Sequence, residues 1–265
     1  VRAGVTAIID CGVAPGLSNL LIGRVADKLD HVDRVEIYVG GLPEVRQWPY
    51  EYKATYSPID VIAEYTRPAR YVEKGRLVTR PALSDPELID FPEVGTLEAF
   101  NTDGLRTLAR TIGAPNMKEK TLRYPGHARL MACFREAGLF GTEPVDVGGV
   151  SVRPIDVTTK VLFPAWTYAE GERDLTVMRV LAEGTLAGEP ARLCWDLLDH
   201  YDEERGFSSM GRTTAFPCTL VAREIVAGRL PRAGVLVPEE LGADSALVDR
   251  ILTGLADRHV EVQLS

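Results

Sequence analysis

The chain has 265 residues, of which 45% are hydrophobic and 26% charged, with a formal net charge of −8. This is ordinary globular composition for one large domain or two modest ones, and the acidic balance argues against nucleic acid or an anionic membrane surface as partner. The four cysteines, Cys11, Cys133, Cys194 and Cys218, form no CxxC pair and no Cys/His spacing suited to zinc. No metal is therefore expected, and reduced thiols in a cytoplasmic protein are. No apolar run has the length of a membrane span, and no signal peptide is visible. The chain opens on Val1 rather than Met, and we expect a segment before it.

In chain order, Val5 to Asp10 reads as a buried strand that ends in the loop Cys11 to Gly16. A helix follows, with Leu17, Leu20, Leu21, Ala26 and Leu29 near 3- and 4-residue spacing. Val35, Ile37 and Val39 then alternate up to a Gly40-Gly41-Leu42-Pro43 turn. Strand, glycine-bearing loop, helix and strand form a βαβ pattern, so 1–43 is expected to be the tail end of a parallel nucleotide-binding sheet. The middle, 44–205, has α+β grammar. Strands are expected at "RLVTRP", "TLEAFNT" and "VSVRPIDV", and helices at "SPIDVIAEYTRPARYV", "GLRTLARTI" and "GHARLMACFREAGL". A hairpin with a Gly-Glu-Pro turn follows, with Val177, Arg179 and Leu181 alternating. In 206–265 we expect a helix ("TTAFPCTLVAREIVAG"), a Pro/Gly-rich connection, a helix from Ser245 to Arg258 and a strand from Val260 to Leu264.

Neither GxGxxG nor GxxxxGK[ST] occurs, so no pyrophosphate-binding turn of those types is present. "DCGVAPGLSNLL" is a Gly/Pro loop opening onto a helix. It reads either as an ordinary strand-to-helix turn or as a rim of free N–H groups facing a cofactor or an anion. "TLRYPGH" carries Arg123, Tyr124 and His127, and "FNTDGLRTL" carries Asn101, Thr102, Asp103 and Arg106. Arginine suits a carboxylate clamp, although surface ion pairing is the commoner use. Lys53 stands among Tyr50, Tyr52 and Tyr56, either as a base with lowered pKa or as a surface lysine beside a core strand. "GFSSMGRTTAFPC" reads as a helix cap or a polar pocket wall, and "DHYDEERG" as a solvated acidic loop.

The stretches "DCGVAPGLSN", "YVGGLP", "YEYKATYSP", "FNTDGLRTL", "TLRYPGH", "TVMRV" and "SSMGRTTAFP", in this order, resemble the saccharopine dehydrogenase family. They cover nearly the whole chain. The resemblance implies α/β plus α+β architecture: the remnant of a Rossmann-type parallel sheet beside a mixed-sheet substrate-binding and dimerisation domain, with 206–265 returning to the nucleotide-binding part. It implies NAD or NADP as cofactor, with Gly12, Val13, Ala14, Pro15 and Gly16 beside the nicotinamide. It places Thr55 and Tyr56 where saccharopine reductases carry a Ser-Trp pair, Arg123 on an arginine that holds a substrate carboxylate, and Thr213 and Thr214 in the segment that closes the site. It also implies a homodimer formed through the open sheet.

Two departures bear on the substrate. Ala14 stands where the reductases have aspartate, and Val39 where they have cysteine. The expected reaction is therefore oxidative deamination of a small amino acid, as in the lysine 6-dehydrogenase branch. Lys53, Asp103 and Tyr124 are the candidates for catalysis, and Asn101 joins the pocket wall. Saccharopine-type reduction is the alternative. A third reading is a dimerisation module without activity of its own.

Overall fold

The computed structural model describes residues 4–54, 56–230 and 233–265. Thr55 lies outside the described residues.

The chain begins with β1 (Thr6–Ile8), the loop to Gly16 and α1 (Leu17–Lys28), then runs into the long strand β2 (His31–Pro43). Next come α2 (Pro58–Thr66), β3 (Ala69–Glu73), β4 (Arg76–Arg80), β5 (Glu87–Phe91) and β6 (Gly95–Asn101). The short α3 (Leu108–Thr111) leads to β7 (Asn116–Arg123) and α4 (His127–Glu136). A small hairpin, β8 (Val145–Val147) and β9 (Val150–Val152), precedes α5 (Pro154–Trp166). The large hairpin is β10 (Asp174–Leu186) and β11 (Glu189–His200), followed by α6 (Ser209–Val226). The chain ends with β12 (Gly234–Leu236), α7 (Pro238–Leu241), α8 (Ser245–Ala256) and β13 (Gln263–Leu264).

Two sheets matter for the site. β1 pairs in parallel with β12, so the first and last parts of the chain together make the small parallel sheet. The larger, mixed sheet has nine strands, with the order β13-β11-β10-β2-β7-β3-β4 and with β6 joining β7 to β5. This corrects the βαβ reading: β2 does not return beside β1 but pairs antiparallel with β10 and parallel with β7. The reason is visible in β2 itself. Its apolar residues alternate with Glu36 and Tyr38, whereas a strand covered by helices on both faces is apolar throughout.

Other expectations shift at prolines and glycines. The helix expected through Val72 stops at Thr66, because Pro68 disfavours helical geometry at Arg67, and "ARYVE" becomes β3. "VSVRPIDV" is not one strand: β9 ends at Val152 and Pro154 opens α5, where its missing N–H costs nothing. The large hairpin turns at Ala187 and Gly188, both with positive φ, so the expected Gly-Glu-Pro turn is displaced and Glu189 and Pro190 lie in β11. This two-residue geometry matches the twist of the flanking strands.

One face of the mixed sheet carries Val35, Ile37, Met178, Val180, Trp195 and Leu197, and it packs with residues of α1, α6 and α8. Further along that face, Phe100 of β6 packs with α2, α4 and α5 around Trp166 and Tyr65. Between these helical groups β2 and β7 form the floor of a cleft. The opposite face curls on itself. Phe91 of β5 lies 4.5 Å beneath the guanidinium of Arg179 on β10, although three strands separate β5 from β10 in the sheet. Among the described residues no helix is long and apolar enough to cross a membrane.

Candidate active site

The cleft has a volume of about 560 Å³. One wall is apolar: Val13, Ala14 and Pro15 from the loop after β1, Val39 from β2 and Met210 from α6. The other wall is polar and comes from α2, β7 and the segment after β6.

The loop is shaped by its own hydrogen bonds. Gly12 N donates to Pro15 O at 3.0 Å, Leu17 N to Gly12 O, and Ser18 N to Val13 O. Gly16 N donates to the Asn19 side chain. Gly16 has φ +142, and a Cβ there would fall 2.1 Å from Gly12 O, so only glycine closes this turn. These four N–H groups are spent inside the turn, while among the described residues those of Val13 and Ala14 make no backbone hydrogen bond. Gly12 to Pro15 line the cleft, while Gly16 sits behind them as the hinge of the turn. Asp174 brings α6 to this loop by accepting from Ser209 N and Met210 N at 2.8 and 2.9 Å. The Ser208 hydroxyl caps the same helix.

On α2 and at its C-cap, Asp60, Ala63, Glu64 and Arg67 recur at 3- and 4-residue spacing and all line the cleft. On β7, alternation sends Glu119, Thr121 and Arg123 into it and Lys118, Lys120 and Leu122 away. Arg123 is 3% exposed. Its Nη2 donates to Glu64 Oε2 at 2.8 Å, its Nη1 to Leu122 O at 2.9 Å, and its guanidinium stacks 4.4 Å from the Tyr52 ring. Arg123 Nε has no partner among the described residues. Tyr56 donates to the other oxygen of Glu64, and burial pushes the Tyr56 hydroxyl pKa well up. Beside this pair, Thr102 Oγ1 donates to Glu119 Oε2 at 2.5 Å and lies 2.9 Å from Thr121 Oγ1.

Of the residues singled out from sequence, the structure brings together Gly12, Val13, Ala14, Pro15, Tyr56, Thr102, Asp103, Arg106, Arg123 and Thr214. Asp103 is already held by Arg70 through two parallel bonds at 2.8 and 2.9 Å. Besides Gly16, four of the candidate site residues do not line the cleft. Lys53 is ion-paired with Glu172 and lines a separate depression with Gln47 and Arg173. Tyr124 follows Arg123 and therefore points to the opposite face, where its hydroxyl donates to Pro43 O at 2.8 Å. Asn101 likewise precedes Thr102 and donates to Ser84 and Asp85. Thr213 is buried against Ser209 O on α6, and its neighbour Thr214 faces the loop.

His127, read from sequence as a helix-start residue, begins α4. Its Nδ1–H donates to Tyr50 O, so Nε2 accepts from Tyr65. Burial, reinforced by Arg123, drives its pKa down to about 3, and it is a neutral structural group. Glu119 escaped the sequence reading, as did Asp60, Glu64 and Arg67. Among the described residues no group of His, Cys, Asp or Glu is placed to share a metal ion.

A small parallel sheet joined to a curled mixed sheet, with a two-walled cleft between, defines a mixed α/β unit. The chain belongs to the saccharopine dehydrogenase C-terminal domain family, whose model matches residues 12–260. It is 24% identical to the mitochondrial alpha-aminoadipic semialdehyde synthase of Bos taurus, over 94% of this chain and 34% of that protein. It thus spans about a third of that relative's length. Among solved structures, the apo saccharopine dehydrogenase (L-Glu forming) of Saccharomyces cerevisiae superposes with a TM-score of 0.80 at 18% identity, covering 100% of this chain and 75% of that one. The homospermidine synthase of Legionella pneumophila, solved in complex with NAD, gives a TM-score of 0.61 at 14% identity, covering 98% and 63%. At these identities the likeness establishes the fold.

Proposed function

We propose that this chain forms the substrate wall and the nicotinamide-facing rim of an NAD(P)-dependent oxidoreductase acting at a carbon–nitrogen bond of an amino acid. The observation that carries this reading is the contrast between the two walls of one cleft. The apolar wall of Val13, Ala14, Pro15, Val39 and Met210 suits a flat nicotinamide ring. The polar wall offers carboxylates for an ammonium group and arginine for a carboxylate. The fit is to the nicotinamide end alone, because the turn spends the N–H groups of Gly12, Gly16, Leu17 and Ser18 on itself and so lacks the full set of donors a pyrophosphate cradle needs. When bound, the nicotinamide supplies the hydride acceptor.

The residues of the chain then orient the substrate. In this reading Arg123, which donates to Glu64 and to Leu122 O, holds Glu64 toward the amine, in place of the carboxylate clamp that the resemblance implies. Arg67, at the end of the α2 face and exposed, takes the carboxylate. Ala14 and Val39 add no polar group to the apolar wall, and this favours deamination of lysine or a similar amine. A saccharopine-type reaction is the second reading, favoured by the names of the relatives. Homodimer formation belongs to the same proposal.

The test is a rate comparison in the intact protein, with lysine and with saccharopine, each with NAD+ and NADP+. Turnover of lysine at least tenfold above saccharopine supports deamination. The reverse order replaces it with the second reading, and no turnover of any amino acid removes both.

A further inference from the structure

Among the described residues of the cleft, Glu119 is a buried carboxylate without an ion pair, whereas Asp60, which also has none, is exposed. Glu64 is held by Arg123, Asp10 by Arg106 and Asp103 by Arg70. Among the described residues no Lys or Arg lies within ion-pairing distance of Glu119, which is only 6% exposed. Uncharged donors fix it instead: the Thr102 hydroxyl and the Gly104 backbone N–H. A Cβ on Gly104 would fall 2.2 Å from the carboxyl carbon, so the glycine makes the space in which the carboxylate sits.

The two threonines extend the chain of hydrogen bonds, and Thr102, Thr121 and Glu119 all line the cleft. A hydroxyl carries one hydrogen. With Glu119 ionised, Thr102 donates that hydrogen to the carboxylate, so Thr121 must donate to Thr102. With Glu119 protonated, both bonds reverse, and the hydrogen of Thr121 is free to turn into the cleft. One proton can therefore pass between cleft and carboxylate while the heavy atoms stay in place.

We propose that Glu119 is the proton acceptor of the reaction, reached from the substrate nitrogen through the hydroxyls of Thr121 and Thr102. This rests on the reading of the cleft as an amine-oxidising site. The N–H bond of the substrate ammonium breaks and its electron pair stays on nitrogen. An O–H bond forms at Thr121, whose own hydrogen moves to Thr102, and that of Thr102 moves to Glu119. The neutral amine can then release hydride from the adjacent carbon to the nicotinamide, its lone pair becoming the C=N bond.

Other charged groups reach the carboxylate from each surrounding element. Burial acts most strongly and raises its pKa, Glu64 of α2 adds to the rise, and Arg123 of β7 opposes it. Asp60 and Arg67 of α2, Asp103 and Arg106 after β6, Asp10 after β1, and Tyr52 and Tyr56 share the cleft walls. β2 and α6 contribute only Val39, Gly40, Gly41, Met210 and Thr214 there. The net result brings the Glu119 carboxyl up to about 7, close to where an acid–base group works best near neutrality.

The test is the pH profile of kcat in the intact protein with its amino acid and NAD(P)+. Wild type is expected to lose rate about tenfold per pH unit below the Glu119 pKa. Glu119→Gln is expected to lose that limb and about 100-fold in kcat, with KM changed less than about threefold. Thr121→Val should follow Glu119→Gln, while Thr121→Ser should restore the wild-type profile. Calorimetry of amino-acid binding in two buffers of different ionisation enthalpy gives a readout without turnover: proton exchange near neutral pH in wild type, none in Glu119→Gln. An acid limb that persists in folded Glu119→Gln, or in Thr121→Val, overturns the relay and leaves the oxidoreductase reading standing. Folded wild type that neither binds nor oxidises an amino acid overturns both.

Discussion

Arg123 Nη2 donates to Glu64 Oε2 at 2.8 Å within the polar wall of the cleft, joining β7 to α2. The arginine is buried and the glutamate is half-buried, its other oxygen taken by Tyr56. Removing one partner strands the other, whereas removing both does not. Glu64→Ala is therefore expected to cost about 3 kcal/mol in urea unfolding. The double variant Glu64→Ala, Arg123→Met should cost clearly less than the sum of the two single losses. Additive losses would show that the two side chains act independently.

In the proposed arrangement Arg67, which lines the cleft, takes the substrate carboxylate. Arg67→Gln should raise KM for the amino acid at least tenfold, from the loss of a charge-assisted contact, and leave kcat within about threefold. A wild-type KM would remove Arg67 from the substrate contacts.

Lys53 is bonded to Glu172 and lies outside the cleft. Lys53→Ala should keep turnover within about twofold of wild type. A loss of a hundredfold or more would return Lys53 to the catalytic group and contradict the placement of the cleft.

Glu119 links stability to pH. Its unfolded value is near 4.5 and its folded value about 7. Below the lower value both states hold the proton. Between the two values the folded state holds it and the unfolded state has released it, so stability falls as pH rises through this window. The full effect is on the order of 3 kcal/mol. Glu119→Gln should gain on wild type in urea midpoint as pH is raised from 5 to 8. An equal pH slope in both proteins would show that Glu119 is not protonated in the folded state.

The backbone of the loop after β1 tolerates only glycine at Gly16. Gly16→Ala should destabilise the protein by a few kcal/mol and weaken NAD(P)H binding by the intact protein, read by melting temperature and cofactor fluorescence. Unchanged values would mean that the loop relaxes around a side chain.

The motifs around the cleft were legible because each is a local pattern: the Gly/Pro loop, the alternation of β2, and the arginine in "TLRYPGH". What the sequence hid was which side of each strand faces the site. Arg123 and Tyr124, Asn101 and Thr102, and Thr213 and Thr214 are adjacent pairs, and in each pair one member faces the cleft. In β7 and β6 a single step along the strand reverses the face. No strand is expected from sequence over "NMKEKTLR", the segment that forms β7. Its alternation, with Met117, Glu119, Thr121 and Arg123 on one face and Lys118 and Lys120 on the other, held the signal for Glu119. The pairing of β1 with β12 joins residues more than 200 positions apart, and local periodicity carries no trace of it.

On the proposed function, hydride leaves an amine-bearing carbon of an amino acid held in this cleft. The most direct measurement gives the intact protein lysine carrying deuterium on its terminal amine-bearing carbon, with NAD+ or NADP+, and follows the label by mass spectrometry. Deuterium in the reduced nicotinamide, with a slowed rate for labelled substrate, is the expected result. Reduced nicotinamide formed without the label, or none formed with any amino acid tried, would contradict it.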